Sequence, residues 1–296
     1  MRPGRAQDLP ALVSLLVAEV REGRRDVVPG ERRLGRILTG FDWEASSRMS
    51  DGGDGLEGAV LVTHRSYPEG PVARIEVAVA ATGVGELRAR LVEWGLGLSR
   101  AAGAVAAQVW LPRGQGSELA GLGVEPVRPW WRMDRDLGGL LPATRPVPGY
   151  RLVVGPAVMP GVLADAHNRS FADHWRYSPR TEEELTAGRP PELAVLAIAD
   201  SGEIAALTLG QIESYAADAR AQPVGIVGSV GTMPGHRRRG LARWLVADHL
   251  VRLRESGART ASLYVDGLNA TGAPRLYRDL GFEVAFESEV WEATFP

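Results

Sequence analysis

Residues Ser229–Leu245 read SVGTMPGHRRRGLARWL. A β-rich run ends near Thr232, Pro234-Gly235 makes a turn, and Arg237-Arg238-Arg239-Gly240-Leu241-Ala242 opens a helical pattern that continues to Glu255. The amide N–H groups of a first helical turn have no partner inside the helix, and the helix dipole adds partial positive charge at the same point. Gly240 lets a ligand approach the backbone, Ala242 keeps that face clear, and three arginines raise the positive field. The combination suits a phosphate or pyrophosphate; the bland alternative is an arginine-rich turn.

Around this stretch the second half alternates strand and helix patterns. Strands are expected at Gly149–Val154, Leu193–Ala199, Ile204–Ile212, Val224–Val230, Ala261–Val265, Phe282–Phe286 and Glu289–Thr294. The second and third of these form a hairpin across Asp200-Ser201-Gly202. Helices are expected at Pro160–Phe171, Thr181–Leu185, Arg239–Glu255 and Ala273–Leu280. The first half echoes the second. Leu122-Gly123-Val124 before Trp131–Asp134 parallels Leu280-Gly281-Phe282 before Val290–Glu292, and helical spacing at Leu87–Leu98 parallels Leu241–Leu253. Two copies of one fold explain the offset. Pro and Gly crowd Gly138–Gly149, which places a linker at 141–148 between domains 1–140 and 149–296. Asp51–Gly58 and Ala216–Pro223 read as loops, and Leu9–Ala18 as an amphipathic helix capped by Asp8 rather than a signal segment.

Composition narrows the function. The 296 residues carry 34 basic and 36 acidic side chains, a near-neutral balance that argues against a general nucleic-acid binder. Every basic residue is Arg, the bias of a GC-rich bacterial genome, and there is no Cys, so no acyl-cysteine intermediate and no thiolate metal site can form. Five scattered His give no zinc signature, and no metal is expected. No run is long and apolar enough to span a bilayer, and a cytoplasmic protein is expected.

Arg237, Gly240 and Ala242 resemble the central motif of the GNAT superfamily of N-acetyltransferases, Arg/Gln-x-x-Gly-x-Gly/Ala after a strand. Asn269, Leu276, Tyr277, Gly281 and Phe282 resemble its downstream motif, with one extra residue between Asn and Tyr. The resemblance is clear over 149–296 and weak over 1–140, and the two-copy arrangement is similar to tandem acetyltransferases of the mycothiol synthase type. It implies an α/β (α+β) fold of two tandem GNAT-like domains, each a mixed, mostly antiparallel twisted sheet flanked by helices. It implies acetyl-CoA as co-substrate. Arg237 would open the loop that binds it, the backbone amides of Arg238, Arg239, Gly240, Leu241 and Ala242 would hold its pyrophosphate, and Val230, Gly231 and Thr232 would bond its pantetheine arm and acetyl carbonyl. Asn269 and Ala273 would lie alongside, and Tyr277 would protonate the departing thiolate. The first half lacks the arginine loop and any Tyr at the matching place, near Glu118–Gly121. It is expected to hold no working acyl-CoA site and to wall the acceptor pocket.

The acceptor expected is a primary amine of a small molecule, acetylated by direct attack in a ternary complex. The alternatives are a non-catalytic acyl-CoA-binding module or an acyltransferase using another donor. Candidate bases are Glu213, His174 and His167, with Ser229 holding a water. Trp175 and Tyr177 are candidate pocket walls, and His236 belongs to the phosphate loop or to solvent. A monomer is expected, with a homodimer as the alternative, since an internal tandem can replace one.

Overall fold

Gly240 sets the start of the long helix of the second half. Its φ of 87° lies in the left-handed region that glycine tolerates, and the helix begins at the next residue. The computed structural model describes residues 1–53, 55–155, 161–218, 220 and 222–296. Asp54, Pro160, Ala219 and Ala221, which fall in stretches read above as loop or helix, lie outside the described residues.

In chain order the first half contains β1 (Arg2–Pro3), α1 (Leu9–Arg21), β2 (Val28–Pro29), α2 (Glu31–Ile37), α3 (Trp43–Ser46), β3 (Ser47–Gly52), β4 (Gly55–Tyr67), β5 (Gly70–Val79), α4 (Glu86–Ala101), β6 (Ala106–Pro112) and β7 (Glu125–Asp136). The second contains β8 (Tyr150–Val154), α5 (Val162–Phe171), α6 (Glu182–Thr186), β9 (Ala194–Ala199), β10 (Ile204–Glu213), β11 (Tyr215–Ala217), β12 (Val224–Thr232), α7 (Leu241–Glu255), β13 (Thr260–Asp266), α8 (Ala273–Asp279) and β14 (Glu283–Thr294). The sequence echo is real as architecture: each half runs through mostly antiparallel strands into a parallel pair, β5 with β6 and β12 with β13, bridged by a long helix.

Twelve strands form one sheet in the order β1-β3-β4-β5-β6-β14-β7-β13-β12-β10-β9-β8. The halves therefore exchange their last strands. β14 lies against β6 from Ser288↔Pro112 to Thr294↔Ala106, while β7 lies against β13 from Thr260↔Asp136 to Asp266↔Trp130. The exchange reaches the cores. Ala293 and Phe295 pack with Val60, Ile75 and Leu91 of the first half, and Met133 and Leu137 pack with Leu250, Leu263 and Phe282 of the second. A second small sheet, β11 on β2, also joins the halves.

Four sequence expectations are corrected. The final two strands are one, because bulges at Val284/Phe286 and Val290/Trp291 absorb the break in the pattern without ending the ladder. Asp51–Gly58 is not an open loop: Asp51–Gly52 and Gly55–Gly58 are the paired ends of β3 and β4. Within Ala216–Pro223, Ala216 and Ala217 belong to β11. Asp8 makes no side-chain cap on α1; its carboxylate accepts from the Arg5 N–H at 2.8 Å and pairs with Arg2 at 2.9 Å.

Candidate active site

The parallel pairing of β12 with β13 covers Val224↔Thr260 to Ile226↔Ser262 and then stops. Beyond it the two strands part, and β12 from Val227 to Thr232 presents an edge with no ladder partner on the β13 side, although β10 continues to pair with its other edge. Unpaired strand amides and carbonyls are strong hydrogen-bonding groups that need partners. Into this gap opens a cleft of about 850 Å³ lined by Val227–Thr232, by the start of α7 and by Tyr277 of α8, among others.

At one end lies the N-terminus of α7. Its N-cap is Gly240, which has no side chain to cap with, and its first turn has no acidic residue. Gly240, Leu241, Ala242 and Arg243 all line the cleft, so the positive end of the helix faces it with uncapped amides. Arg238 takes φ 63°, a left-handed conformation costing a non-glycine residue about 1 kcal/mol or more. The chain turns sharply here to bring the loop against the helix start. Close packing fixes the strand too: a methyl on Gly231 would come within 2.3 Å of Ser170 Oγ on α5.

At the other end a chain of hydrogen bonds orients an imidazole. Asn168 is held by Arg180, accepting from its N–H at 2.8 Å and donating to its carbonyl at 3.0 Å. That fixes Oδ1 as the acceptor for the Tyr177 hydroxyl. Tyr177, having spent its proton there, can only accept from His167 Nδ1, 3.3 Å away. Nε2 of His167 therefore carries the lone pair, and it faces Ser229 Oγ at 3.3 Å. Burial, with Arg180, Arg189 and His174 nearby, pulls His167 down to about 4, so the ring is neutral near pH 7. His174 is also lowered, mainly by burial, and packs edge-on to Phe171 at 4.7 Å. Burial raises Tyr277 well above the ordinary phenol range, so its hydroxyl keeps its proton.

A family model described as the acetyltransferase (GNAT) family matches residues 162–282. The mycothiol acetyltransferase of Catenulispora acidiphila is 30% identical over 255 residues, 79% of this chain and 76% of that protein. The chain belongs to the GNAT acetyltransferase family. Two further mycothiol acetyltransferases, from Kytococcus sedentarius and Thermobispora bispora, are 32% and 34% identical but matched over only 57% and 56% of their length, so the chain spans little more than half of them. A GCN5-related N-acetyltransferase from Sphaerobacter thermophilus superposes with a TM-score of 0.78 at 26% identity, covering 99% of this chain and 94% of that one. A tandem GNAT protein from the clavulanic acid biosynthesis pathway superposes with a TM-score of 0.70 at 16% identity, covering 100% and 98%, a likeness of fold.

Most of the GNAT residues named from sequence meet in the cleft: Val230, Gly231, Thr232, Arg237, Arg238, Gly240, Leu241, Ala242, Asn269, Ala273 and Tyr277 line it, as do His167, His174, Trp175, Tyr177, Ser229 and His236. Arg239 is not among the lining residues; its guanidinium donates to Tyr150 Oη at 2.9 Å and to the Gly235 carbonyl at 3.2 Å. Arg237 is spent on structure, since Asp173 pairs with it at 2.7 Å and it donates to the Thr232 carbonyl at 3.1 Å. Asn269 closes a turn ahead of α8 by accepting from the Thr271 N–H at 2.9 Å. Glu213 is a correction. It is buried at the far end of β10, ion-paired with Arg33 of the first half, and does not line the cleft. Sequence reasoning missed Arg65, Arg180, Arg189 and Trp130, all of which line it. Arg65 and Trp130 belong to the first half, and no local pattern in the sequence signals them. Among the described residues no helix is long and apolar enough to cross a membrane, and no group of three or more His, Asp or Glu is placed to hold a metal.

The buried imidazoles make acid stability testable. His249 on α7 is fully buried, neither ring nitrogen has a hydrogen-bond partner among the described residues, and burial brings it down to about 3. Below pH 6.5 the unfolded chain takes protons at His167 and His249 that the folded chain refuses until about 4 and about 3. At about 1.4 kcal/mol per tenfold difference in proton affinity, stability is lost as pH falls through that window and is fully present above it. The melting temperature should drop steadily from pH 6.5 to 4, and His249→Leu should flatten part of the slope. An identical slope in that variant would show that His249 contributes nothing.

Proposed function

We propose that the protein transfers the acetyl group of acetyl-CoA to a primary amine of a small molecule by direct attack in a ternary complex. The observation that carries this reading is the parting of β12 from β13 directly beside an uncapped helix N-terminus. It offers an extended amide chain a free strand edge and offers a pyrophosphate free helix amides in one continuous cleft. The amine nitrogen adds to the thioester carbon and the C–S bond breaks. The leaving thiolate takes the Tyr277 proton, and the nitrogen loses its own to His167 Nε2, directly or through Ser229 or a water. His167 is a weak base, yet a nitrogen that has already added to a carbonyl is a stronger acid than a free ammonium, so a weak, oriented acceptor serves. Positioning, together with strand amides aimed at the carbonyl oxygen, supplies most of the remainder. The first half contributes walls to the acceptor side, and one chain containing both halves acts as a monomer.

The test is free-thiol release from acetyl-CoA by the purified protein across a panel of small amines. Release that requires an amine, with mass confirmation of the acetylated product, is the expected result. Tight acetyl-CoA binding with no release in the presence of any amine would point instead to a binding module.

A further inference from the structure

Past the end of the proposed thioester site, the cleft wall turns strongly positive. Gly228 is the extra residue of a β-bulge, lying between Val227, which pairs with Gly210, and Ser229, which pairs with Leu209. A methyl placed on Gly228 would sit 3.4 Å from Nη1 of Arg189. Arg189 is held there by the tight turn after α6, where its N–H donates to the Thr186 carbonyl at 3.0 Å and Pro190 follows. Its Nη1 is shut off from solvent and has no hydrogen-bond partner among the described residues. No carboxylate pairs with Arg189 among the described residues, and burial together with the charge of another cation, Arg180, disfavours its own charge. Arg65, reaching over from β4 of the first half, lines the same wall. Among the described residues Glu184 is the acid set against this group; it pairs with Arg180 at 3.5 Å, and the Thr181 N–H, with Arg180 and Arg65, holds its carboxyl below the usual range. Three guanidiniums against one carboxylate leave an excess of positive charge, part of it withdrawn from water.

A half-buried guanidinium without a counter-charge is costly, and no carboxylate among the described residues pairs with Arg189 to offset that cost. The arrangement does suit a planar or tetrahedral anion, which guanidinium groups bind in a fork. We infer that the acceptor amine carries an anionic group, a carboxylate or a phosphate, which Arg189, Arg180 and Arg65 bind beside Gly228 while the amine reaches past Ser229 toward the acetyl carbon. The inference rests on the proposed acetyl transfer and adds to it the chemical class of the acceptor. An anion here would also offset the repulsion by which Arg180 and Arg189 disfavour a proton on His167, coupling acceptor binding to the imidazole that faces the reaction.

The test separates the two readings by measuring binding apart from turnover. Calorimetry on CoA-saturated protein compares N-acetylamino acids with their amides, and N-acetylated aminoalkyl phosphates with their alcohols. The expected result is that charged members bind at least about 10-fold more tightly than neutral partners, with the favoured arm identifying carboxylate or phosphate. Arg189→Gln should erase the preference and Arg189→Lys should keep part of it, both with unchanged affinity for CoA. Equal binding of charged and neutral members, an unchanged preference in Arg189→Gln, or no binding by any charged member would overturn the inference. Failure to bind CoA, or no thiol release with any amine, would count against the acetyl transfer itself.

Discussion

Replacing Tyr277 with Phe should lower kcat by about 100- to 10,000-fold, the range that a positioned general acid contributes, while acetyl-CoA binding stays within about twofold. The phenol ring packs edge-on to Phe282 at 6.0 Å in the second-half core, and a phenyl ring keeps that contact. No hydrogen bond ties the hydroxyl to the described residues, so its loss strands no protein partner. Burial keeps the hydroxyl protonated at neutral pH and also makes it a weaker acid, so its proton passes only as negative charge builds on the sulfur while the C–S bond breaks. Thiol release under saturating acetyl-CoA, with calorimetric affinity for CoA, checks the split. Turnover at the level of the unaltered protein would remove Tyr277 from the chemistry and leave proton delivery to solvent.

Removing residues 283–296 should abolish cooperative folding of the whole chain, not of the second half alone. β14 is the strand that closes β6, and Ala293 and Phe295 complete the first-half core. β7 would lose the ladder from Glu283↔Asp134 to Glu292↔Glu125. Burying each large apolar side chain contributes roughly 1.5–3 kcal/mol, against a total stability of roughly 5–15 kcal/mol for a folded domain. Exposing two bare strand edges adds a route to aggregation. Near-ultraviolet circular dichroism and thermal melting of the chain 1–282 should show no cooperative transition. A sharp transition at a reduced temperature would mean that the halves fold without the exchange.

Local chemistry was legible in the sequence and long-range placement was not. The start of α7 could be read because Gly240 has a local consequence, a left-handed residue followed by uncapped amides. A helix was expected at Thr181–Leu185, and the structure shows why a local reading sufficed: Thr181 and Glu184 form a capping box that acts over three residues. The exchange of β7 and β14 could not be read. Each strand could as well pair within its own half, and nothing within a strand names its neighbour. Glu213 was misjudged, because it looks available until Arg33 arrives from the first half, and the side-chain partners of Arg237 and Arg239, Asp173 and Tyr150, were equally out of reach of a local reading. The anion-binding wall was invisible because Arg65, Arg180 and Arg189 converge only after folding.

The crossed strands also bear on how the chain folds as it leaves the ribosome. Residues 1–140 are synthesised well before residues 283–294, so the first half waits with β6 uncovered and β7 without its eventual neighbours through most of translation. Domain-by-domain folding can therefore not finish the first half, whose final sheet lacks a strand until β14 arrives. The same cleft draws Arg65 and Trp130 from the first half and Tyr277 from the second, so it is complete only in a chain that has made both halves.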